Sequence, residues 1–403
     1  MRYIFVADDF TGASDTLATL RRAGLNARLY LTVPSCDEVA DLDAFGIATA
    51  ARSMDQQAIR SEMQRIGHQL QVHAPDVVHL KVCSTFDSSV HTGNIAIAMD
   101  ALSTQLKPAT TLIVGGQPSL GRYCLFGNLF AKGADGQVYR IDRHPVMHRH
   151  PVTPMQEADL RRHFSDMGLT NVHGLDRVAL HTDVALPNAP VLCDALDASD
   201  LTRIGERFRH APAPQLWVGA SSVAEALYPN HQTIEMPSSL PGPLLVFAGS
   251  RSSVTAAQVA ASHSMTIVTV SARQLASQPQ ELYAQITAPL QDGKATLAVL
   301  DDDTTHGLTA LEVAQYAAAL IAKLVRSGNI GTLLIAGGDT SSLAIHHLQP
   351  QSIDYIGPLE AGVPVCAANF ANGHRLPVIM KGGQMGSVAL FDKVCELTCQ
   401  NDE

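Results

Sequence analysis

Residues 5–16 read FVADDFTGASDT, with two carboxylates, Asp8 and Asp9, directly after an apolar run that begins at Tyr3 and a third, Asp15, one or two helical turns on. Such a run reads as a buried strand, and charge at its end costs desolvation unless something uses it. Three uses suit the pair. It can accept hydrogen bonds from a polyhydroxylated molecule, take a hydroxyl proton as a general base, or hold magnesium. One acid before a helix is also an ordinary N-cap, which accounts for one aspartate but not for both.

Cations follow the same placement. Arg52 comes after AFGIATA, Lys81 ends VVHLK, and Arg122 follows GGQPSLG. Each lies near an expected strand end, where a carboxylate substrate would find it and a guanidinium could grip it with two parallel bonds. In the second half, LLVFAGSRSSVTAAQV (244–259) and LLIAGGDTSSLAIHHL (333–348) both run strand, glycine, small hydroxyl residues, helix, and MKGGQMG (380–386) adds a third glycine loop beside Lys381. Glycines let the backbone come close to an anion, and the free N–H groups of a first helical turn favour negative charge. Ser250, Gly337, Gly338, Asp339, Thr340, Lys381, Gly382 and Gly383 are the candidates for holding a nucleoside triphosphate. No G-x-x-x-x-G-K-[ST] loop occurs and no G-x-G-x-x-G follows a strand, so neither a P-loop nor a dinucleotide fold is expected. VLDDDTTHG (299–307) suits a solvated turn better than a metal site. The histidines of 144–150 lack a second-strand ligand set and are not expected to bind metal.

The elements that must position these groups alternate between strand and helix. YIFVA, ARLYLTV, AFGIATA, DVVHLKV and TTLIVGG read as strands, and DTLATLRRAGL (with Gly24 near its C-cap) and MDQQAIRSEMQRIGHQL as amphipathic helices. This predicts an α/β fold of two α/β domains with mainly parallel sheets and an interdomain cleft. Residues 140–160 form an irregular stretch of prolines, histidines and arginines, of the kind that is functional or interfacial. PNHQTIEMPSSLPGP (229–243) carries four prolines and little periodicity. The boundary is expected near 240, giving domains 1–240 and 241–403.

The chain has 403 residues, 46% of them apolar and 16% charged, enough for two full cores. Its net charge of -10 argues against a nucleic-acid partner. No run of about 18 apolar residues suggests a membrane span, and the run before Asp8 is too short for a signal peptide. Seven cysteines without a C-x-x-C pair read as reduced thiols of a cytoplasmic protein.

Together these segments resemble the four-carbon acid sugar kinases along nearly the whole chain. The matching stretches are ADDFTGASDT, Arg52, KVCSTFDSS with TGNI, GRYCLFGNLFA, RIDRHPVMHRHPVTPM, GSRSSVTAAQ, GGDTSSLAI, LEAGVPVC and KGGQMGSVALF. The resemblance implies an N-terminal sugar-acid-binding domain and a C-terminal nucleotide-binding domain. It implies that ATP, with Mg2+, phosphorylates the C4 hydroxyl of a tetronate, D-threonate favoured, or D-erythronate or 3-oxo-tetronate. Asp8, Asp9, Arg52 and Lys81 would then face the sugar acid. Ser250, Gly337 to Thr340, and Gly382 with Gly383 would face ATP. Of the acid pair, Asp9 is the expected proton acceptor. Two rival readings are a haloacid-dehalogenase-like phosphatase, which needs aspartates two apart rather than adjacent, and a non-catalytic sugar-acid sensor. The oligomeric state is open, a homodimer among the options.

Overall fold

The computed structural model describes residues 1–150, 152–182, 184–230, 232–301 and 307–399. The chain divides into two compact units, Met1–Thr233 and Ile234–Glu403. The acidic stretch 302–306 lies outside the described residues.

In the first unit the strands are β1 (Tyr3–Ala7), β2 (Ala27–Tyr30), β3 (Ala44–Ala48), β4 (Val77–Lys81), β5 (Thr110–Val114), β6 (Arg122–Leu125), β7 (Asn128–Lys132), β8 (Val138–Arg140), β9 (His173–Leu175), β10 (Val191–Cys193) and β11 (Gln215–Gly219). Eight of them line up as β2-β3-β1-β4-β11-β5-β10-β9, and every printed pairing among these is parallel. All five residues of β1 are buried, as a central parallel strand covered by helices on both faces requires. From β1 the chain moves to β2 and β3 on one side and then returns to β4 on the other, so a topological switch point flanks β1. In open α/β sheets that is where a crevice opens beyond the carboxyl ends. The helix Gln56–Leu70 sets Ile59, Met63, Ile66 and Leu70 toward the core at helical spacing.

In the second unit the strands are β12 (Leu244–Ala248), β13 (Thr266–Val270), β14 (Thr296–Leu300), β15 (Thr332–Ala336), β16 (Ser352–Glu360), β17 (Val363–Asn369) and β18 (Arg375–Lys381). Their order is β13-β14-β12-β15-β18-β17-β16. β12 pairs with β14 on one side and β15 on the other, both parallel, which makes a second switch point.

Two departures from the expected alternation appear. β16, β17 and β18 run antiparallel, and β6, β7 and β8 form a separate antiparallel three-stranded sheet. The strand read as ARLYLTV is confined to Ala27–Tyr30.

Candidate functional site

Three strand ends meet in the first unit, stitched by backbone bonds. Asp8 N–H donates to the Lys81 carbonyl (3.0 Å), Arg52 N–H to the Asp8 carbonyl (3.0 Å), and Thr49 N–H to the Ala7 carbonyl (2.9 Å). The chain therefore delivers Asp8, Asp9, Arg52 and Lys81 to one corner.

Arg52 straddles the acid pair. Its Nε and Nη2 donate to Asp8 at 3.1 and 2.8 Å, and its Nη1 donates to Asp9 at 2.7 Å. Asp9 is also the N-cap of the helix Phe10–Arg22, its Oδ1 accepting from Gly12 N–H at 2.8 Å. The cap explains one aspartate, as expected, and Asp8 is left without a local structural task. Burial raises the Asp8 pKa; Arg52 opposes the rise and the neighbouring Asp9 adds to it. Burial works against the Arg52 charge, but the two aspartates outweigh it and hold its pKa well above the usual value.

Lys81 is buried, and its Nζ donates to the Val82 carbonyl at 2.7 Å. A Cβ on Gly12 would fall 2.4 Å from that Nζ and 2.7 Å from Asp9 Oδ1, so the ammonium lies against the first turn of the capped helix, where any larger residue would push it aside.

Sequence reasoning matched KVCSTFDSS, the chain just beyond Lys81, but gave Asp87 no role. Thr85 Oγ1 donates to Asp87 (2.6 Å), and Thr153 Oγ1 reaches the other Asp87 oxygen (3.4 Å). Burial alone would raise the Asp87 pKa, but Arg52 and hydrogen bonds from Cys83 and Thr85 hold it below the ordinary carboxylate value. Cys83 is pushed up to about 11, chiefly by burial, and stays a neutral thiol. The only sequence signal was a second acid soon after a strand end. The irregular stretch 140–160 acquires a task here, since Thr153 Oγ1 also bonds His150 Nδ1 at 3.0 Å. Its histidines bond the turn backbone: Val146 N–H donates to His144 Nδ1 and Thr153 N–H to His150 Nδ1. Among the described residues no group of three His, Cys, Asp or Glu could hold a metal ion.

Asp15 anchors a second polar group. It accepts from Ser221 Oγ (2.5 Å) and from the buried Gln117 (3.2 Å), which also donates to Glu225 at 3.4 Å. Arg122 opens the antiparallel sheet rather than following a parallel strand; its Nη1 donates to the Leu120 carbonyl.

In the second unit the three glycine loops converge because β12, β15 and β18 are neighbours. Gly249 N–H donates to the Ala336 carbonyl (3.0 Å) and Gly337 N–H to the Lys381 carbonyl (2.9 Å). The helix Gly338–Leu348 has Gly337 as its N-cap, with φ 131 and no side-chain cap, so its first-turn N–H groups are not taken by a capping oxygen. Asp339 is exposed and Thr340 buried in that turn. Ser252 Oγ donates to the Gly383 carbonyl, and Thr255 Oγ1 reaches the same oxygen at 3.0 Å. A Cβ on Gly383 would sit 2.2 Å from Ser250 Oγ. Lys381 lies fully buried beneath this loop, donating to Thr255 Oγ1 (3.0 Å) and the Gly383 carbonyl (3.4 Å), and burial lowers its pKa to about 8. The structure thus places Lys381 as a brace under the backbone cradle.

Comparison with known proteins matches this division. Residues 3–227 match a family described as a sugar-binding N-terminal domain, and residues 245–391 one described as a nucleotide-binding C-terminal domain. The chain is 29% identical to a 3-oxo-isoapionate kinase of Paraburkholderia graminis, over 97% of this chain and 93% of that one. It is 29% identical to a 3-oxo-tetronate kinase of Salmonella typhimurium, over 96% of each. A crystal structure of a Salmonella typhimurium LT2 protein superposes with a TM-score of 0.78 at 25% identity, over 97% of this chain and 98% of that one. Among the described residues no helix is long and apolar enough to cross a membrane.

Proposed function

The chain belongs to the four-carbon acid sugar kinase family, and from that premise we propose that it is an ATP-dependent kinase phosphorylating the C4 hydroxyl of a tetronate: threonate, erythronate or 3-oxo-tetronate. One observation supports this reading most: two carboxylates under a single guanidinium at the switch point of the first unit, Arg52 reaching Asp8 at 2.8 Å and Asp9 at 2.7 Å. A lone charge pair has no need of the second acid, whereas a polyol needs acceptors and its reacting hydroxyl needs a base.

Phosphoryl transfer depends on positioning and on neutralising the charge of the moving group. In this reading the cations of the first unit, Arg52, Lys81 and Arg122, balance the substrate carboxylate, and Asp8 with Asp9 receives the hydroxyls. Asp9, expected from the sequence to accept the proton, is committed to the helix cap and to Arg52. We therefore assign the proton to Asp8, which caps no helix and whose pKa burial raises. The backbone N–H groups of Gly337 to Thr340 and of Gly382 and Gly383, with Ser250, receive the ATP phosphates. Lys381 holds the Gly383 loop in place from below. Magnesium, when bound with the nucleotide, neutralises phosphate charge. It needs only one or two carboxylates besides phosphate oxygens and water. Asp301, directly after β14, has a buried Oδ1 with no hydrogen-bond partner among the described residues, and with Asp339 it would hold the ion. In-line transfer requires the sugar hydroxyl and the terminal phosphate to meet with water excluded, so a closure step belongs to the proposal.

The test is an ADP-release screen of the stereoisomers of threonate, erythronate and 3-oxo-tetronate, with the phosphorylated position read by NMR. ADP formed only when acid and ATP are both present, with phosphate on C4, is the expected result. Binding of an acid without ADP formation would make the protein a sensor. Phosphate release from a 4-phospho acid without ATP would make it a phosphatase.

A further inference from the structure

Three cations of the first unit are assigned to the sugar acid, and the reading above leaves their division of labour open. Arg52 has its Nε, Nη1 and Nη2 all engaged by the aspartates. Its plane is therefore filled, and a substrate carboxylate could use it only by displacing Asp8 or Asp9. Lys81 is a single ammonium, buried and turned onto its own strand end at the Val82 carbonyl. It can balance charge, but it offers no planar fork.

Arg122 differs from both. Among the described residues it makes no ion pair, and one nitrogen, Nη1, donates to the Leu120 carbonyl. Its Nε is buried with no partner. Unpaired buried donors are uncommon and call for an explanation. In the first unit only two buried side-chain polar atoms among the described residues lack a partner, Arg122 Nε and Thr11 Oγ1. Thr11 lies in the turn between Asp9 and Gly12 that carries the acid corner. The two unmet groups thus belong to residues assigned or adjacent to one site, a donor edge in one case and a hydroxyl in the other.

The backbone around Arg122 is built to hold it. Gln117 and Arg122 exchange both backbone bonds, at 2.9 and 3.1 Å. A Cβ on Gly116 would come within 2.8 Å of the Arg122 carbonyl. Cys83, two residues beyond Lys81, interacts electrostatically with both Arg52 and Arg122.

We propose that Arg122 is the receptor for the substrate carboxylate, binding it through its Nε edge, while Arg52 holds the acid pair and does not grip the substrate. Arg122 is then the residue that selects a sugar acid over the corresponding sugar alcohol. The proposal rests on the sugar-acid reading of this unit and assigns the acid end of the molecule within it.

The experiment compares wild type, Arg122→Gln and Arg122→Lys on a tetronate and on the tetritol with the same hydroxyl configuration, which lacks the carboxylate. Losing the fork should lower the acid-over-tetritol preference in kcat/KM by about 10- to 100-fold in Arg122→Gln. The loss should appear mainly in KM for the acid. Arg122→Lys, which keeps the charge without the fork, should lose about tenfold. A general misfolding effect would lower both substrates together and leave the ratio intact, so an unchanged ratio overturns the proposal. Calorimetric titration of the tetronate into nucleotide-free protein provides an arm that needs no turnover. Weaker binding in Arg122→Gln supports the assignment, and equal binding refutes it even if no tetronate is phosphorylated and the kinase reading itself fails.

Discussion

Replacing Arg52 by glutamine should make the first unit strongly pH-sensitive. Arg52 makes three charge-assisted bonds to two carboxylates, with side-chain exposures of 22% for Arg52, 11% for Asp8 and 7% for Asp9. Removing one partner from a buried ionic group leaves the remaining charge uncompensated and costs about 3–5 kcal/mol. The pH dependence follows from Asp8. Its folded-state pKa is already raised by burial and by Asp9, and Arg52 is the main opposing influence; without Arg52 the pKa rises further. A carboxylate with a folded pKa above its unfolded one binds its proton more tightly in the folded state, so stability falls as pH rises between the two values. The variant should therefore be most destabilised near neutrality and should recover as the pH is lowered through the raised Asp8 pKa. Trp217 reports the unit cleanly, because it is the single tryptophan and is fully buried in β11. Urea unfolding followed by its fluorescence, at several pH values, gives the free energies. Adding Asp8→Asn to Arg52→Gln should restore part of the loss at neutral pH, since the repulsion is then gone. A single variant within about 0.5 kcal/mol of wild type at every pH, the range of an ordinary surface change, would refute the idea that Arg52 holds the pair.

Two further tests separate the roles within each site. Asp8→Asn should lower kcat by about 10²-fold or more, the usual worth of a positioned base. Asp9→Asn, which can still cap the helix, should cost less in kcat. A larger kcat loss in Asp9→Asn would return the proton to Asp9. In the second unit, Gly383→Ala would force a Cβ to within 2.2 Å of Ser250 Oγ; the Ser250 hydroxyl must turn away or the loop must shift, and the KM for ATP should rise by about tenfold or more, on the scale of losing one or two bonds to a charged group, while calorimetric affinity for the tetronate stays unchanged. An unchanged KM for ATP would remove that loop from the phosphate cradle.

Much of the fold was legible because buried parallel strands write a continuous apolar run and helices write their own period. YIFVA and LLVFA are such runs, VVHLK and TLLIA come close to them, and each is a strand of the structure. The antiparallel parts were harder to read. The tight turn at Phe126 and Gly127, with φ 51 and 77, joins β6 to β7 and has the two positive φ values of a hairpin turn. Its sequence, CLFGNLF, carries a phenylalanine where Asn or Asp would have announced the turn.

The sequence by itself determined which residue types stand at strand ends: the acid pair, the cations and the three glycine loops, all set by local order along the chain. Strand order decided what they do, since Ser250 and Gly383 meet only because β12, β15 and β18 are neighbours. Tertiary packing also decided that Arg52 is filled by both aspartates and that Lys381 is turned onto Thr255. The physical reason is range. A propensity or a cap is settled within a few residues, whereas the partner of a charge is whichever group the sheet brings within about 3 Å, and that partner can lie anywhere in the chain.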